Sequence, residues 1–218
     1  MKKSFDIGLS KALTNLRPLS MSDVSSEERV VGCDITGEAS QGSLDSLELN
    51  GCKLSDVQFA GHSFERLDAE GCELVQCDVA NAKLEHSLFR NVTFSGCRLT
   101  GASFSRSNLK KVLLKDCKAN LASFRFCTFA DCRFENCDFQ GADFQGSDLS
   151  KAVFRDCNLT RAQMSQAILH GADVRTCNID DVRIGIPELK GVILSNSQFL
   201  LVADLLGIIV KEVDFGGQ

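Results

Sequence analysis

The side chains best suited to chemistry in this sequence are its 11 cysteines. Thiolates bind zinc, close disulfides and attack electrophiles, and each use demands its own spacing. Six of them, Cys77, Cys97, Cys117, Cys137, Cys157 and Cys177, recur at intervals of twenty residues. Side chains repeated at a constant interval along a regular stack lie on a line. Zinc instead requires ligands that converge on a tetrahedron. Parallel-pointing thiols also oppose disulfide closure, as does a reducing cytoplasm. The cysteines therefore read as small buried hydrophobes. His62, His86 and His170 are scattered, and His62 stands at a small-residue position, with Gly42 and Ala82 twenty residues to either side, where packing explains it. Asp214-Phe215-Gly216 is similar to a kinase tripeptide, but no glycine-rich loop or catalytic loop accompanies it. With no nucleophile–base pair or phosphate-cradling loop in context, the expectation is a protein that is not an enzyme, with no catalytic residue, metal or cofactor.

The elements that position these residues emerge from a period of five. From Leu44 to Phe199, the 32 residues numbered with a final 4 or 9 are Leu, Phe, Ile, Val or Met in 30 cases, the exceptions being Ala69 and Ala119. Twelve of the 15 Phe fall there, and ten of the 11 Cys stand two residues earlier. Cys33 keeps the same relation to Ile35 with the register shifted by one. Neither a helix of period 3.6 nor a strand of period two produces this pattern. A column of Ala82, Ala102, Ala122, Ala142 and Ala162 runs parallel to the cysteine column, so twenty residues form one coil of four pentapeptides. The fold class expected is all-β: a right-handed quadrilateral parallel β-helix of about eight 20-residue coils with a short C-terminal α-helix. Stacked at the ~4.8 Å spacing of paired strands, the coils make a rod of roughly 38 Å. Residues 1–32 lack the repeat and are assigned to an N-terminal cap; 33–199 form the β-helix; 200–218 form a C-terminal dimerisation helix and tail.

That C-terminal segment is apolar nearly all round and must be buried on more than one side. One side covers the last coil. The other is expected to meet a second copy through Leu200, Leu201, Leu205, Leu206, Ile208 and Val210, giving a twofold homodimer, with Gly207 ending the helix.

The repeat is identified as that of the pentapeptide-repeat family, over about three quarters of the chain. Gln198, Leu201, Asp204, Leu206-Gly207-Ile208 and Val210 resemble the C-terminal segment of the Qnr-type quinolone-resistance proteins. The resemblance implies a dimer that binds bacterial DNA gyrase or topoisomerase IV and protects it from quinolones or related poisons. The unbroken register leaves no room for the projecting loops of some members. The alternative is an adaptor rod that presents a charged surface to an unrelated protein.

Charge separates these readings only in part. The net charge of −5 gives no case for direct, specific nucleic-acid binding. The charges are banded: ten acids against Lys53 and Arg66 from Asp34 to Asp78, then eight basic residues against Asp116 from Ser87 to Ala130, then five acids against Arg133 from Asp131 to Asp148. Wrapped around a rod, the middle band becomes a basic girdle containing Arg90, Arg98, Arg106, Lys110, Lys111, Lys115 and Lys118, a candidate partner-binding belt that a pure DNA mimic would lack. No run of 18 apolar residues is present to span a membrane, and the N-terminus lacks a leader-like apolar core. The expected location is the cytoplasm.

Overall fold

Each pentapeptide turns two side chains inward, the large one and the small one two residues before it, and leaves the other three outside. Burial follows this pattern along the chain. At many corners the chain turns through a four-residue bend whose third residue has positive φ. Ala102 N–H donates to Leu99 O at 3.0 Å across Gly101, whose φ is +68°, the demand of a type II turn. The computed structural model describes residues 13–25, 28–39, 44–205, 207–209 and 211.

The result is a parallel β-helix of about seven turns. Four sides can be followed by their inward columns: Phe89, Leu109 and Phe129 on the first; Phe94, Leu114 and Phe134 on the second; Leu99, Ala119 and Phe139 on the third; Phe104, Phe124 and Phe144 on the fourth. From Leu47 onward the ladders pair residue n with n+20, as in Phe89↔Leu109 and Phe94↔Leu114. Extended strands gather on the first two sides, where Leu88–Ser95 and Asn108–Lys115 run unbroken through the corner between them. The third and fourth sides are joined by isolated parallel bridges, such as Arg98↔Lys118 and Ser103↔Ser123.

The core is a set of stacked columns. Phe104, Phe124 and Phe144 stack with ring centroids 5.1 Å apart at each step, and Phe134 lies 4.4 Å from Phe154. Rings from adjoining sides meet edge to face, as Phe134 and Phe139 do at 5.4 Å. Ala69 and Ala119, the two small residues at large positions, are also fully enclosed.

Both ends carry structure that the five-residue period does not display. Arg17–Ser20 and Arg29–Val31, within the segment assigned to a cap, are strands of the stack. Arg17 stands opposite Cys33, sixteen residues on, and Arg29 opposite Glu48, nineteen on. These shorter first coils hide the twenty-residue period. The shifted register of Cys33 has the same origin, for Ile35 pairs with Leu54, also nineteen residues on. At the other end the helix α1 (Asn196–Leu205) begins four residues before position 200. It takes Phe199 out of the repeat: that ring is 55% exposed instead of inward. Helix α1 and the 3-10 turn Pro187–Leu189 replace the regular sides of the last coil, so the turns number about seven, not eight.

Candidate interaction surfaces

All 11 cysteines are free and buried. Their position near a corner gives them a task beyond filling space. Cys97 Sγ lies 3.4 Å from Leu74 O, and Cys137 Sγ lies 3.4 Å from Leu114 O, in each case a carbonyl 23 residues back. Ser107 uses the same geometry, donating its hydroxyl to Leu84 O at 2.9 Å. A thiol or hydroxyl at this position satisfies a buried carbonyl that Ala leaves to other donors. Burial pushes Cys127 and Cys132 up to about 12. In Cys97, Cys117, Cys137 and Cys157, hydrogen bonds with thiols of neighbouring coils pull both ways and burial tips the balance upward, also to about 12. Such thiols are poor nucleophiles at neutral pH. Among the described residues, no group of three or more His, Cys, Asp or Glu is arranged to hold a metal ion. His62 is half-buried, with Nδ1 3.3 Å from Ala60 O. Asp214, Phe215 and Gly216 lie outside the described residues.

The basic residues are distributed around the rod by the register. Arg90, Lys110 and Lys111 lie on the first side or its corner, Lys115 on the second and Arg98 and Lys118 on the third. Arg106 is at the corner between the fourth and first sides, with φ +61°. The seven do not share a face. Two are tied to the acidic coil beneath: Arg90 to Asp68 at 2.9 Å and Glu70 at 3.1 Å, and Arg98 to Asp78. Exposed pairs of this kind add little to stability, because solvent screens them. Among the described residues, Lys110, Lys111, Lys115 and Lys118 have no carboxylate within ion-pair distance.

The C-terminal surface is built by a capping box. Ser195 Oγ accepts the Gln198 N–H at 3.3 Å, and Gln198 Oε1 accepts the Ser195 N–H at 2.9 Å. Gln198 Nε2 then donates to Val174 O at 2.7 Å and Cys177 O at 2.8 Å, fastening the helix to the last regular coil. The Ser195…Gln198 spacing is visible in the sequence and would have located this helix start. Val202 and Ala203 face the rod and are buried, whereas Phe199, Leu200, Leu201, Ile208 and Ile209 are exposed. Ile208 N–H closes the helix on Ala203 O at 2.9 Å after Gly207 at φ +68°. Of the residues expected at a dimer contact, Leu200, Leu201 and Ile208 are thus on the surface. Leu206 and Val210 lie outside the described residues, as does the side chain of Leu205.

Four laddered sides around a filled core define a solenoid of the repeat-protein class. The chain belongs to the pentapeptide repeat proteins: the model of the pentapeptide repeat region matches residues 42–124, 89–164 and 127–200. Among solved structures it is similar to HetL, a pentapeptide repeat protein involved in heterocyst differentiation regulation from the cyanobacterium Nostoc sp. strain PCC 7120. The identity is 18% over 82% of this chain and 90% of that one, with a TM-score of 0.52, a likeness of fold. A trypsin-treated variant of QnrB1, a plasmid-mediated fluoroquinolone resistance protein, matches at 19% identity over 83% of this chain and 99% of that one, with a TM-score of 0.40. No curated protein matches the sequence.

Proposed function

We propose that this rod is a non-enzymatic binding protein that dimerises through α1 and engages a type II DNA topoisomerase, shielding it from quinolones or related poisons in the cytoplasm. The observation that carries the reading is the apolar surface left on α1. Phe199, Leu200 and Leu201 are exposed beside Ile208 and Ile209, the last at 82%. Exposed apolar side chains in one short segment mark an interaction site, and at the blunt end of a solenoid a second copy supplies a self-complementary cover. The same segment carries the Qnr-type resemblance. Among the described residues, no helix is long and apolar enough to cross a membrane.

An adaptor rod is the second reading, favoured by the charge pattern. The third side is not uniformly acidic, for it runs Asp78, Arg98, Lys118, Asp138 along one bridged column. A polyanion mimic needs an unbroken acidic track. The test is a gyrase supercoiling assay in ciprofloxacin, with the Leu200→Asp/Leu201→Asp variant as control. Both side chains are exposed in the single chain, so the variant is expected to fold. The wild type is expected to restore supercoiling and to sediment as a dimer; the variant is expected to sediment as a monomer and lose protection. Continued inhibition at a large excess of folded wild type removes the topoisomerase reading and leaves the adaptor rod.

A further inference from the structure

Positive φ at the corners suits glycine, asparagine and aspartate, whereas bulky apolar side chains there are outliers. Among the described non-glycine residues with positive φ, only Leu121 (+59°) and Phe126 (+56°) are large and apolar. They occupy consecutive corners of one coil and bound its fourth side. Each left-handed residue of this type is destabilising by about 1–2 kcal/mol, and both side chains remain exposed, at 67% and 47%. Neither gains a full burial within the chain.

The surrounding residues hold the two in place. A Cβ at Gly146, one coil on, would lie 2.5 Å from Phe126 Cδ1 and Cε1; one at Gly141 would lie 3.0 Å from Leu121 Cδ2. The ring and the leucine thus lie flat across glycine backbone. Arg106 and Arg125 place their guanidinium carbons 5.8 Å and 5.6 Å from the Phe126 centroid. Arg125 also meets Asp143 at 3.2 Å. Between the corners, Ser105 and Ser123 hydroxyls meet at 2.9 Å. Lys110 and Lys111 continue the positive charge around the corner on the first side.

We propose that the Leu121–Phe126 edge, with Arg106 and Arg125, is a docking surface for an acidic protein segment carrying apolar side chains. Aromatic and arginine side chains together are the usual anchors of protein interfaces, and the positive charge calls for carboxylates. The positive zone spans about two coils, roughly 10 Å. Asp143 borders it, paired with Arg125, and Asp68 and Glu70 lie below it. A long polyanion such as nucleic acid would run on past the zone to Asp68 and Glu70; a short protein segment would not. This docking edge lies apart from α1, and its role is independent of the topoisomerase reading.

The test is fluorescence anisotropy with a labelled, glutamate-rich peptide bearing a central Phe-Leu pair, using the full chain. Wild type is expected to bind it. Leu121→Asn/Phe126→Asn and Arg106→Glu are each expected to weaken binding about tenfold or more, and Lys53→Glu, on a distant coil, to change it less than about twofold. The asparagine pair is also expected to melt no lower than wild type, because asparagine tolerates positive φ. No binding by wild type, equal binding by the asparagine pair, or a lower melting point for that pair overturns the proposal. So does tighter binding of labelled oligo(dT) at the same edge.

Discussion

Raising the pH from about 9 to about 11 is expected to destabilise the rod. Six buried thiols, those of Cys97, Cys117, Cys127, Cys132, Cys137 and Cys157, are held up to about 12, against 9.0 for a free thiol. Below pH 9 both folded and unfolded chains keep these six protons; Cys52 and Cys77, lowered by hydrogen bonds from neighbouring thiols, act in the opposite sense there. Above it the unfolded chain ionises while the folded one does not, so stability falls until the folded thiols titrate near 12. The six act in the same direction, so stability is expected to decline as the pH rises above about 9. Far-UV circular dichroism across this range measures the midpoint. Replacing Cys117 and Cys137 by Ala, which fills the parallel Ala102–Ala122–Ala142 column, is expected to move the midpoint to higher pH. A midpoint that stays put or falls in that variant would assign alkaline unfolding to other groups.

The Phe124→Ala variant is expected to lose about 3–5 kcal/mol, the range for deleting a buried ring. Phe124 is fully buried at the middle of the fourth-side stack, 5.1 Å from both Phe104 and Phe144, with Phe129 and Phe139 at 5.9 Å and 6.0 Å. Its removal opens a hole between coils, and a solenoid has no distant contacts to compensate. Urea unfolding read by circular dichroism gives the loss. Phe124→Leu, matching Leu84 in the same column, is expected to be milder. A loss below about 1 kcal/mol for the alanine variant would mean that neighbouring rings close the gap and that the columns are not rigid.

Residue types along the chain are enough to specify the β-helix, because inward positions repeat locally every five residues and coils can stack in only one register once the period is twenty. They also expose the column that holds the cysteines and, through Cys33, the shift of register near the start. Other features arise only when the coils are stacked. Those that include Arg17–Ser20 and Arg29–Val31 are shorter than the period, so counting by fives passes over them. Phe199 satisfies the repeat in sequence, but Gln198 fastens α1 to the last regular coil and turns that ring outward. The basic band was legible as charge, while its division among sides and its ties to Asp68, Glu70 and Asp78 depend on neighbours about twenty residues away. Leu121 and Phe126 owe their strain and exposure to the corners they occupy, which only the folded coil creates.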